Sequence, residues 1–151
     1  MKIADILNLA RIQLDVPSTS KKQVLETIAK LAAASSGGEQ QIIFDALIER
    51  ERLGTTGIGK GVAIPHARLA GLKDLYCLFM RVNPAVDFEA IDGKPVDLIF
   101  CLLVPEESGA DHLKALARIS KLLRNEDICA QLRTVRNPKD VLMLVDQADN
   151  E

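Results

Sequence analysis

His66 lies six residues after Lys60, near the end of the stretch GTTGIGKGVAIPHA that spans residues 54–67. A neutral imidazole has one lone pair and one N–H, so it can act as a nucleophile. Its ordinary pKa of about 6.5 keeps it mostly neutral near pH 7. The residues before it suit an anion. Four of the nine glycines fall within residues 54–61, Gly57 among them, and successive amides around glycines can form an anion-binding concavity. Thr55 and Thr56 add hydroxyls, and Arg50 adds a planar fork that matches phosphate oxygens. Pro65 fixes its own φ and holds Ile64 extended, which stiffens the approach to His66. Such a set could carry a phosphoryl group on His66. Spacing alone leaves a plainer reading open, in which His66 ends a strand and is satisfied by a backbone carbonyl.

Gly54, Gly59 and Lys60 also fit G-x-x-x-x-G-K, the opening of a nucleotide-binding P-loop. That loop requires a strand before it, a helix after it, and a Ser or Thr after the lysine to hold magnesium. Here a helix ends near Arg52, a strand follows the loop, and Gly61 succeeds the lysine. Neither a nucleotide nor another cofactor is expected. His66 and His112 are the only histidines, and no H-E-x-x-H or C-x-x-C occurs, so no metal site is expected. On its own, His112 beside Asp111 reads as a solvated helix start, and Asp87, Glu89 and Asp92 read as loop charges. Cys77, Cys101 and Cys129 are widely spaced in apolar surroundings and read as small buried hydrophobes.

These residues must be positioned by a chain of 151 residues, a length that suits one domain spanning 1–151. Apolar residues make up 48% and charged residues 26%, the balance of a folded globular protein. A net charge of −2 and 3% aromatics argue against a nucleic-acid partner. Asp5 and Arg11 interrupt the N-terminal apolar stretch, so no signal peptide is expected. The longest apolar run elsewhere covers residues 98–104, short of the roughly 20 needed to insert in a membrane. A cytoplasmic location is expected.

The pattern along the chain is helices, then strands, then helices. Ser20 and Gln23 look like a capping box, and Val24, Leu25, Ile28, Leu31 and Ala32 recur at helical spacing before a stop at residues 35–38. A second helix runs from about Glu39 to Arg52, with Gly54 as its stop, and should form a hairpin with the first. Residues 62–64, 75–82 and 96–104 read as strands, with a further edge piece near residues 12–16. Asn83-Pro84 and Asp92-Gly93 read as turns between them. Helices are expected over 111–124, from Asn125 or Asp127 to Leu132, and from Asn137-Pro138 to about Val145, followed by a frayed tail. The fold class implied is an α/β sandwich with a mixed sheet of about four to five strands and helices on both faces.

Three separated motifs, in order, add a resemblance. ERERLGTTGIGKGVAIPHARL, FEAIDGKPVDLIFCLLVPEE and HLKALARISKLLRN resemble the IIA proteins of the bacterial phosphoenolpyruvate-dependent phosphotransferase system, of the mannitol, fructose and nitrogen-regulatory type. The similarity covers about residues 20–145, and within the family the nitrogen-regulatory branch is the nearest. The resemblance implies that His66, in G-x-A-I-P-H, is the phosphorylated residue. It implies that His112, in H-L-x-x-L-A, lines the same site and hydrogen-bonds the phosphate, and that Arg50 helps to hold the phosphoryl group. Thr55 and Thr56 stand where the family has a Ser-Thr pair, so Thr55 departs from it but keeps a hydroxyl. The implied partners are a histidine phosphocarrier protein as donor and regulated targets such as potassium transport systems and sensor kinases. A sugar-specific IIA subunit that passes its phosphate to a IIB domain is the alternative.

Overall fold

The computed structural model describes residues 2–150. Along the chain, α1 (Ile3–Ile6) leads through a 3-10 turn to β1 (Ile12–Val16). The helices α2 (Lys21–Ser36) and α3 (Gln40–Leu53) follow. Then come β2 (Gly57–Gly59), β3 (Val62–Ala63), β4 (His66–Leu69), β5 (Tyr76–Val86) and β6 (Val96–Pro105). The chain closes with α4 (Asp111–Leu123), α5 (Glu126–Leu132) and α6 (Pro138–Asp149).

β5 and β6 are the centre of one mixed sheet and pair antiparallel, with Leu78 opposite Cys101 and Phe79 opposite Phe100. They are covered on both faces, which is why their sequences read as continuous apolar runs. β1 lies parallel to β5. On the other side of β6, β3 and β4 lie end to end and both run parallel to it. β2 is antiparallel to β3 and closes that edge. The six strands exceed the four to five implied by the pattern because β2, of three residues, and β4, of four, are too short for a strand period to stand out.

Successive side chains of the sheet divide between two cores. Leu78, Met80, Cys101 and Leu103 meet Val24 and Ile28 of α2 and Ile43 and Leu47 of α3. Cys77, Phe79, Phe100 and Leu102 meet Ile119 of α4, Ile128 of α5, and Val141 and Val145 of α6. The expected hairpin of α2 and α3 is present, and it covers a single face. All three cysteines are buried free thiols. Burial pushes the Cys77 thiol up to about 12 and raises those of Cys101 and Cys129 as well.

The cap residues act at the termini they foretell. Ser20 Oγ accepts the Gln23 N–H at 3.1 Å, while Gln23 Oε1 reaches back to the Thr19 N–H. Asn125 caps α5, and Asn137 caps α6 with Pro138 at its first position. Two expectations need correction. Asn83-Pro84 lies within β5 and not in a turn. It falls between Arg81 and Val86, where the register with β6 shifts, so the missing proline N–H costs little there. The polar tail is not frayed at its start, because α6 continues to Asp149. That carboxylate accepts the Ile3 N–H at 2.7 Å and Arg118 Nη1 at 2.8 Å, tying both ends of the chain together. No helix among the described residues is long and apolar enough to cross a membrane.

Phe100 is fully buried, with its ring centroid 5.0 Å from that of Phe79. Phe100→Ala is expected to destabilise the protein by about 3–5 kcal/mol, measured by urea denaturation. A loss below about 1 kcal/mol would show that this ring pair does not anchor the sheet.

Candidate active site

The strand line that carries His66 has one rule along its length. Gly61, Pro65 and Leu69 turn their carbonyls to β6, accepting the N–H groups of Leu98, Leu102 and Glu106. The register with β6 is constant across the break, from Val62 opposite Leu98 to His66 opposite Leu102. Residues of the other parity turn their polar backbone groups away from β6. Ile64 therefore gives its N–H to Thr56 O at 3.0 Å. Its carbonyl meets His66 Nδ1 at 2.9 Å. His66 thus opens β4, a strand that the sequence pattern does not reveal.

A carbonyl can only accept, so Nδ1 of His66 carries the proton and Nε2 carries the lone pair. Arg50, in the last turn of α3, donates Nε–H to that Nε2 at 3.2 Å and Nη1–H to Gly54 O at 2.9 Å. Burial lowers the His66 pKa below its ordinary value, and the bond to Ile64 opposes this. The charge of Arg50 lowers it further, Glu51 raises it, and nearby His112 lowers it. The net direction keeps Nε2 free of a proton near neutral pH. The plainer reading of His66 is realised at Nδ1, which the backbone satisfies, and Nε2 is left facing Arg50.

The glycine stretch is built differently from an open anion cradle. Gly59 pairs with Val62, so Lys60 and Gly61 form a two-residue hairpin loop, both with positive φ as primed turns require. Lys60 reaches Glu126. Thr55 Oγ1 donates to Phe88 O at 2.9 Å and accepts the Gly57 N–H at 3.0 Å. Gly57 packs where a Cβ would lie 2.9 Å from that of Ala90. Thr56 is buried and gives both its N–H and its hydroxyl to the Glu51 carboxylate. Lys21 completes this buried group, with Nζ 2.9 Å from Glu51 Oε1. Both threonine hydroxyls are therefore engaged with the protein.

His112, in the first turn of α4, gives its Nδ1–H to Gly109 O at 2.7 Å. Arg68 lies against it, with Nη2 3.2 Å from Nε2. Glu51, Lys21 and Arg68 escape the sequence reading. Glu51 looks like one more charge in ERER, and its burial depends on α2. Arg68 carries a visible signal, its place two residues after His66, which puts both on one face of β4. His66 is half-buried, and a cleft of about 1160 Å³ lined by residues including Asp5, Arg11, Lys73 and Asp111 does not include it. Leu53, Ile91 and Leu113, which lie beside these elements, are 85%, 76% and 60% exposed. An open, partly apolar face fits a macromolecular partner better than an enclosed small molecule.

The fold, with an arginine set against an imidazole at a strand end, is that of the IIA proteins of the phosphotransferase system. The chain belongs to the family described as the phosphoenolpyruvate-dependent sugar phosphotransferase system, EIIA 2, which it matches over residues 5–148. It is 47% identical to the nitrogen regulatory protein of Bradyrhizobium diazoefficiens over 141 residues, 93% of this chain and 92% of that one. The crystal structure of nitrogen regulatory protein IIA-Ntr from Neisseria meningitidis superposes with a TM-score of 0.91 at 40% identity, covering 95% of this chain and 98% of that one. The fructose-specific EIIABC component of Bacillus subtilis is 35% identical over 150 residues, 99% of this chain but 24% of that protein.

Two measurements follow. In an NMR titration, His66 is expected to take up its proton below pH 6.5, the ordinary midpoint. Below that pH the unfolded chain binds a proton that native His66 still refuses, so stability present above it is lost as pH falls toward the native pKa. Arg50→Gln should move the midpoint only part of the way back, because burial is the larger cause. A midpoint above 6.5 in the native protein would contradict this account. Thr56→Val should cost about 1–3 kcal/mol in denaturant unfolding, because the buried Glu51 carboxylate loses a donor. An unchanged midpoint would show that this carboxylate does not depend on the hydroxyl.

Proposed function

We propose that His66 Nε2 accepts a phosphoryl group from the phosphohistidine of a small histidine phosphocarrier protein, and that the phosphorylation state of this chain regulates other proteins. The observation that carries this reading is the held imidazole: Nδ1–H on Ile64 O, and the Nε2 lone pair facing Arg50 on an open surface. The donor's P–N bond breaks and its electron pair returns to the donor ring as the P–Nε2 bond forms. The Ile64 carbonyl steadies the positive charge that develops on the His66 ring. Arg50 leaves Nε2 for the equatorial oxygens, where charge accumulates in the transition state. Thr55, Thr56 and Gly57 act by shaping the loop that sets this geometry. No step calls for a metal or a nucleotide.

A phosphoryl group adds charge and acceptor oxygens to one face, enough to block or create a protein contact. The similarity to nitrogen regulatory proteins supports regulation as the output, with potassium transport systems or sensor kinases in the cytoplasm as the kind of target. The identity with a fructose-specific component supports a second reading, transfer from His66 to a IIB cysteine of a sugar permease.

The test is to incubate the protein with phosphoenolpyruvate, enzyme I and a phosphocarrier, and to measure intact mass. One acid-labile phosphate is expected, absent from His66→Ala. No uptake from carriers of either the sugar or the nitrogen type would overturn the reading. Onward transfer to a IIB domain would move the assignment to the sugar-specific role.

A further inference from the structure

Two guanidinium groups face imidazoles in this protein. Arg50 does so at His66, and Arg68 does so at His112, with Nη2 3.2 Å from Nε2 and 3.4 Å from Nδ1. His112 Nδ1 faces Gly109 O, and Arg68 Nη2, nearly equidistant from the two ring nitrogens, lies against the imidazole ring. Nη1 of Arg68 donates to Glu106 O at 3.1 Å and Ser108 O at 3.2 Å. None of these partners is a carboxylate. Among the described residues, Arg52, Arg81, Arg118 and Arg133 are each paired with a carboxylate. Arg50 and Arg68, like Arg11, Arg124 and Arg136, are in no such pair, although they are fully charged at any working pH.

The placement of Arg68 matters as much as its charge. His66 and Arg68 leave the same face of β4, about 6.6 Å apart along the strand, within the reach of an arginine side chain. His112 is near enough for its charge to act on His66. The guanidinium is therefore within an arginine's reach of a phosphoryl group on His66, and no carboxylate holds it where it rests. A phosphoryl oxygen is a much stronger acceptor for a guanidinium than an imidazole nitrogen.

We propose that Arg68 is the second phosphoryl-binding cation of the site: resting against the His112 ring in the unphosphorylated protein, it turns its Nη2 to the phosphoryl oxygens once His66 is phosphorylated. This rests on the reading of His66 as the acceptor. His112 then serves first as the resting place of the guanidinium.

Arg68→Gln and Arg68→Lys, in the full chain, test this with two donors, a phosphocarrier protein and phosphoramidate. The second donor needs no protein docking. The Gln variant should accept phosphate about 10–100-fold more slowly from both, the Lys variant should recover part of the rate, and neither should shift the thermal midpoint appreciably. In ¹⁵N NMR, the His112 Nε2 signal of the wild-type protein should move when His66 is phosphorylated, as the guanidinium leaves. In Arg68→Gln it should not repeat that change. A wild-type rate with phosphoramidate in Arg68→Gln, or a His112 signal indifferent to phosphorylation, would overturn the proposal. A defect seen only with the phosphocarrier would also overturn it, making Arg68 a docking contact. If the wild-type protein takes phosphate from neither donor, the reading of His66 itself fails.

Discussion

The hydrogen bond from His66 Nδ1 to the Ile64 carbonyl sets the character of the site. It fixes the tautomer, the ring orientation and the nitrogen left for chemistry in one contact. That carbonyl is available only because the strand along β6 keeps its register through Pro65. A proline at a position facing β6 gives up one ladder donor but keeps its own carbonyl bonded to the Leu102 N–H. The next position toward the N-terminus then directs its carbonyl outward, to the imidazole. The proline stiffens the chain where a nucleophile must be held, at the expense of one sheet bond.

The support behind this contact runs back into the fold. Ile64 N–H rests on Thr56, Thr56 on Glu51, and Glu51 on Lys21 at the start of α2. A carboxylate this deeply buried would be costly without its partners, and here it has a lysine, an amide and a hydroxyl. The α2–α3 hairpin thus does more than cover one face of the sheet. Its last turn presents Arg50 to the nucleophile, and the next residue, Glu51, secures the loop that leads to it. Adjacent residues of ERER face opposite tasks because a helix turns by about 100° per residue.

Much of this was legible in the sequence. The central strands declare themselves by long apolar runs, and the helix starts by Ser20, Asn125 and Asn137. His66 and Arg50 are identifiable because anion chemistry calls for those residue types near a stiff, glycine-rich turn. The less legible parts depend on tertiary partners. β4 reads HARL, which alternates polar and apolar residues but over only four positions, too few to stand out beside the longer apolar runs. Asn83-Pro84 carries every local mark of a turn, yet the register shift in β5 absorbs it. Asp149 looks like a solvated tail residue until it receives the Ile3 N–H from the far end of the chain. The threonines look like phosphate donors because nothing in the sequence says that Glu51 and Phe88 O already hold their hydroxyls.

The cysteines carry a different consequence. Cys77 and Cys101 sit on adjacent central strands but belong to opposite cores, one under α4–α6 and the other under α2–α3. Burial holds both thiols protonated, and a protonated thiol is a poor nucleophile. Neither can react with an alkylating reagent until its own layer of helices lifts from the sheet. The protein therefore contains a matched pair of intrinsic labelling clocks, one for each side. The two rates report separately how often the layer that presents Arg50 and the layer that presents His112 come away from the strands between them.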